Sequence, residues 1–109
     1  MLEKLERLKL EDGRELRLLS ALEVLEARRE AEGLARAPKE HALCSNACLL
    51  ARALETEEGS PVFSGGEAVL AGLRVEEIAA LSRTWSQFNR EENPALTMEQ
   101  EEAEELKKN

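Results

Sequence analysis

The sequence predicts a mainly α fold: a compact single-domain helical bundle carrying a short N-terminal β-hairpin. Three observations lead there. Leu, Ala, Glu and Arg, all good helix formers, dominate the composition, while aromatic residues reach only 3%. Apolar residues recur at helical spacing through the middle and the last third of the chain. Two capping boxes, Ser20-Ala21-Leu22-Glu23 and Thr97-Met98-Glu99-Gln100, mark helix starts. With 109 residues the chain can bury one modest core, and it has no room for separate cofactor and substrate domains.

Taken in order, residues 8–18 (LKLEDGRELRL) alternate apolar and polar side chains around Asp12-Gly13, a favoured hairpin turn because Gly tolerates positive φ. A helix over residues 2–10 competes with this hairpin, since Leu2, Leu5 and Leu8 also stand at helical spacing. The first capping box opens a helix over about 21–32, with Gly33 as its stop. Val24, Ala27, Ala31 and Leu34 form its apolar stripe, Leu22 and Leu25 widen it, and Arg28, Arg29 and Glu30 face water. Pro38 suits the first turn of a second helix over 38–55, where its missing amide costs nothing. There the small residues Ala42, Cys44, Ala47, Cys48 and Ala51 admit another helix closely, which makes this the expected central helix.

Residues 56–66 (TEEGSPVFSGG) break the pattern, with Val62 and Phe63 as an apolar pair that anchors the loop. A short helix over 67–71 and a strong one over 75–89 follow, the latter carrying Ile78, Leu81, Trp85 and Phe88 on one seam. Asn93-Pro94 ends the helical run. The domain is therefore expected to span 1–95. Residues 96–109 form an acidic C-terminal helix or tail, with Met98, Ala103 and Leu106 alone to bury.

The net charge of −8, from 23 acidic and 15 basic side chains, opposes phosphate backbones and anionic lipid. Neither nucleic acid nor a membrane is an expected partner. No apolar run approaches the roughly 18 residues of a membrane span. Met1-Leu2-Glu3-Lys4 lacks the layout of a signal peptide, so the expected location is the cytoplasm and the expected state of Cys44 and Cys48 is reduced.

Candidate chemistry is sparse. His41, Cys44 and Cys48 share one helix face and are zinc-ligand types, but they lack separated ligand pairs and a fourth Cys or His. Packing of small residues at a helix interface explains them better. A Cys–His nucleophile from the same residues would need an orienting group and an oxyanion site, and neither is identifiable. Ser64-Gly65-Gly66 could hold an anion on free amides, yet lacks a phosphate-loop ending; a helix cap is the simpler role. Glu57-Glu58, Glu76-Glu77 and Glu91-Glu92 read as solvated faces rather than acid–base dyads. No catalytic residue, cofactor or metal is therefore expected. Trp85 and Phe88, two of three aromatics, either close the core or anchor an interface, and Ile78, Leu81, Trp85 and Phe88 are the candidate partner-binding residues.

Four segments carry a family resemblance: the polar hairpin LEDGREL leading into SALEVLEA, a helix ending LLARAL, then PVFSGGEAVLAGL, and EEIAALSRTWSQFNREENP. Together they resemble the tail assembly chaperones of long-tailed bacteriophages. The resemblance implies a non-enzymatic helical domain that binds the tape measure protein and other tail proteins. It also implies self-association, action in the host cytoplasm and absence from the finished virion. Such chaperones are often also made in a longer, frameshifted form, and Lys107-Lys108-Asn109 is compatible with a slippery codon run. A different reading of the same residues is a small helical adaptor or regulator that dimerises through the Ile78–Phe88 seam.

Overall fold

The computed structural model describes residues 7–92 of the chain. It contains a three-stranded antiparallel sheet and four α-helices. In chain order these are β1 (Arg7–Lys9), β2 (Glu15–Arg17), α1 (Ala21–Leu34), α2 (His41–Ala53), β3 (Leu54–Glu55), α3 (Gly66–Gly72) and α4 (Val75–Glu92). The fold is mainly α with an N-terminal hairpin, as the sequence predicts. Residues 1–6, where the competing helix would begin, and the acidic segment 96–109 lie outside the described residues, as does Asn93-Pro94.

The hairpin pairs Arg7 with Arg17, Leu8 with Leu16 and Lys9 with Glu15. Its connection is one residue longer than an Asp-Gly turn. The Gly13 amide donates to the Leu10 carbonyl at 3.1 Å, and the Leu10 amide donates to the Arg14 carbonyl at 2.8 Å. Gly13 has φ +95°, the left-handed geometry that closes a three-residue loop. Strand β3 pairs with β2 through Glu15–Glu55 and Leu16–Leu54. Period-two alternation then sends Leu8, Leu16 and Leu54 to one face, where Leu16 and Leu54 are fully buried, and Arg7, Glu15, Arg17 and Glu55 to the other.

Helix α1 starts at the expected capping box: Ser20 Oγ accepts from the Glu23 amide at 3.1 Å, and the Glu23 carboxylate accepts from the Ser20 amide at 2.9 Å. Three details differ from expectation. The helix passes through Gly33 to Leu34, because Leu34 packs on the buried cluster of Ala27, Ala31, Cys44 and Cys48. Leu22 and Leu25 do not widen the apolar stripe; they are 59% and 45% exposed. On a helix of 3.6 residues per turn they lie across the axis from Ala27 and Ala31. Glu30 does not face water, since it reaches across to α2 and α3.

Residues 38–55 are not one helix. Pro38–Glu40 form a 3-10 turn, α2 runs from His41 to Ala53, and Leu54–Glu55 leave it as a strand. The extended backbone at Leu54 places its side chain in the core beside Leu16 and turns the Glu55 carboxylate toward two arginines. Helix α2 is central: α1, α3 and α4 all pack on it. Two clusters meet there. One joins Leu16, Leu50, Leu54, Val69, Ile78 and Trp85; the other joins Ala27 and Ala31 to Cys44 and Cys48. The loop before α3 is pinned as expected, with Val62 and Phe63 half-buried against the first cluster. Phe63 lies so close to Gly72 that a Cβ there would stand 2.8 Å from its ring.

Candidate functional site

The zinc-type trio is divided by burial. Cys44 and Cys48 are 5% and 0% exposed, whereas His41 opens α2 on the exposed surface. Among the described residues no group of three or more His, Cys, Asp or Glu could hold a metal ion. Burial, followed by the nearby Glu30 carboxylate, pushes the Cys48 thiol up to about 12, so its nucleophilic thiolate is scarce at neutral pH. The two thiols are free and act as small packing groups between α1 and α2.

The glycine-rich start of α3 does meet an anion, and the anion is internal. Glu30 Oε2 accepts from the Gly66 amide at 2.8 Å, while Glu30 Oε1 pairs with Arg52 at 2.7 Å. Arg52 also donates to the Cys48 carbonyl at 3.0 Å. Burial pushes Glu30 up, but hydrogen bonds from Arg52 and from the Gly66 amide outweigh it and hold the carboxyl below its usual range. The junction thereby ties α1, α2 and α3 together. The sequence offered a signal for it, an amide-rich helix start, but not the partner, because Glu30 sits on the edge of an otherwise apolar stripe.

A second ion network covers the outer face of the sheet. Arg7 pairs with Glu15 at 2.6 Å and with Glu55 at 2.8 Å, and Arg17 pairs with Glu55 at 3.1 Å and with Glu23 at 2.5 Å. Like charges stand directly opposite in the ladder, Arg7 to Arg17 and Glu15 to Glu55, yet each diagonal is attractive. Glu55 is 8% exposed and takes both arginines. The Arg17 hydrogen bonds, helped by the Ser20 amide, bring Glu23 down to about 2. Arg17 and Arg52, with Glu30, Glu55, Pro61 and Phe63, line a cleft of about 520 Å³. Their charges are already matched inside the molecule, which suits a structural clasp.

The seam on α4 faces inward. Ile78 is 1%, Trp85 9% and Phe88 7% exposed, and Leu81 is half-buried against the main cluster. The Trp85 indole N–H donates to the Arg17 carbonyl at 2.8 Å, fastening α4 to the sheet. In the single chain this seam is core, so it offers no open groove.

Open surfaces among the described residues include an apolar pair and a polar groove. The outward face of α1 presents Leu22 and Leu25, which share a face at a spacing of three residues. Between α2 and α4 lies a polar groove of about 590 Å³, lined by Asn46, Ser82, Ser86 and two arginines, Arg83 and Arg90. Among the described residues no helix is long and apolar enough to cross a membrane. Compared with known proteins, the chain matches no family model, no curated protein and no solved structure.

Proposed function

We propose that the protein is a non-enzymatic tail assembly chaperone of a long-tailed bacteriophage, binding the tape measure protein and tail subunits while the tail is built. The observation that carries this reading is the exposed Leu22–Leu25 pair on a well-capped, well-packed helix. Large apolar side chains held outward on a rigid element suit a client that brings its own apolar stripe, as an amphipathic helix does. The reactive side chains support the same reading. Both thiols are buried, and the buried and half-buried carboxylates Glu55, Glu30 and Glu23 are each held by an arginine. The hairpin, the loop before α3 and helix α4 fall on the segments that resemble the family.

The adaptor reading needs a surface other than the Ile78–Phe88 seam, because dimerising through it would require opening the core. Self-association in the chaperone reading uses the α1 face or a neighbouring surface instead. Co-expression with the tape measure protein of the same tail gene cluster tests the proposal. The expected result is a soluble tape measure chain that co-purifies with this protein. A neighbourhood without tail genes, or a tape measure chain that aggregates equally with and without it, would overturn the reading.

A further inference from the structure

The groove between α2 and α4 combines open volume with cationic and small polar side chains. Arg83 and Arg90 stand seven residues apart on one face of α4, with Ala79, Ser82 and Ser86 between and beside them and Asn46 facing from α2. The small side chains leave the volume that a second segment would fill. Both residues are exposed, and among the described residues neither pairs with a carboxylate, as also holds for Arg28, Arg29 and Arg36 on other surfaces. The Ser82 hydroxyl, shielded from solvent beside the groove, has no hydrogen-bond partner among the described residues. Among the described residues no carboxylate lines the groove, although the chain carries a net charge of −8. The lining is too polar for an apolar helix and suits carboxylates, which guanidinium forks bind in two-point fashion.

We propose that this groove receives residues 97–105 of the same chain. That segment, TMEQEEAEE, has five glutamates and no basic residue. It also begins where the chain can use it. From Glu92 back to Arg83 is about 14 Å along a helix at 1.5 Å per residue. Residues 93–96 give up to roughly 13 Å of extended chain in which to reverse, beginning with Asn93-Pro94. The following nine residues, if helical, retrace α4 from Arg90 to Arg83. Each exposed ion pair is weak alone, so the contact rests on several pairs formed at the high local concentration of a tethered segment, and it is salt-sensitive.

A nitroxide on Ala103→Cys in the full-length protein tests this, because Cys44 and Cys48 are buried and escape labelling. Amide NMR signals of Asn46, Ser82 and Ser86 are expected to broaden at low salt. The broadening should vanish in the Arg83→Ser/Arg90→Ser variant and in about 0.5 M salt, where screening is strong. A mixture of isotope-labelled protein without nitroxide and nitroxide-labelled protein without isotope should show none. Broadening in that mixture would assign the groove to a second copy and overturn the proposal. Broadening that survives the double substitution, or none in the intact protein, would also overturn it.

Discussion

Gly66→Ala and Gly33→Ala make the same chemical change and should move stability in opposite directions. At Gly33, within α1, an added Cβ meets nothing within 4 Å, so alanine gains helix preference at no steric cost. The expected stabilisation is about 0.5–1 kcal/mol. At Gly66 a Cβ would collide with Cys48 Sγ and stand 3.2 Å from both Glu30 Oε2 and Leu34 Cδ1. Cys48 is fully buried on the central helix and cannot swing away. Overpacking of this kind costs about 1–3 kcal/mol, and displacing Glu30 from the Gly66 amide weakens a charge-assisted hydrogen bond besides. The intrinsic preference for alanine, up to about 1 kcal/mol, offsets part of this. A net loss of about 2 kcal/mol should lower the urea midpoint by roughly 1–2 M at an unchanged slope. Adding Cys48→Ala to Gly66→Ala should restore part of the loss, with a coupling above about 1 kcal/mol in a double-mutant cycle. Equal midpoints for Gly66→Ala and the native protein would refute the close approach of α3 to α2. So would a cycle without coupling.

Other consequences follow from single contacts. Glu23 is held down to about 2 by Arg17, so its ion pair contributes fully above the unfolded value near 4.5 and is lost as pH falls through about 2. Glu23→Gln keeps an acceptor for the Ser20 amide. It should cost about 1 kcal/mol at pH 7, after allowance for solvent screening, and distinctly less at pH 3; a gap independent of pH in urea melts would contradict the pairing. Trp85→Phe removes the indole donor from the Arg17 carbonyl, and equilibrium unfolding should register a loss of about 1–3 kcal/mol. In native protein, Cys44 and Cys48 should resist a thiol-specific disulfide reagent and both should react once urea unfolds the chain; rapid native labelling would contradict their burial.

The elements that sequence periodicity could see are those whose burial follows local pattern. The hairpin, the capping box at Ser20 and the helices beginning near 66 and 75 all carry strong local signals, and each forms within a residue or so of its expected start. What escaped is tertiary. Hydrophobicity alone ranks Leu22 and Leu25 above Ala27 and Ala31, yet α1 turns its alanines inward, because Cys44 and Cys48 let the two helices approach closely. The small-residue face of α2 and the Ala27–Ala31 stripe of α1 were both readable; what failed was the widening of that stripe to Leu22 and Leu25, which stand exposed. Leu54 and Glu55 continue a helical pattern, and only their pairing with Leu16 and Glu15, far away in the chain, draws them into a strand. Glu30 looked solvated for the same reason, since Gly66 lies thirty-six residues away. Of the candidate binding residues, the α4 seam was correctly read as apolar and one-sided, but its partner is the chain's own core.

The central claim, that α1 offers a client its outward leucines, is tested most directly by titrating a tape measure fragment into native protein and into Leu22→Lys/Leu25→Lys. Their exposures of 59% and 45% amount to about one leucine side chain available for burial, worth roughly 1.5–3 kcal/mol. Calorimetry should therefore show affinity falling about ten- to hundred-fold in the variant, with an unchanged urea midpoint because neither side chain supports the core. Equal affinity for both proteins would contradict the account.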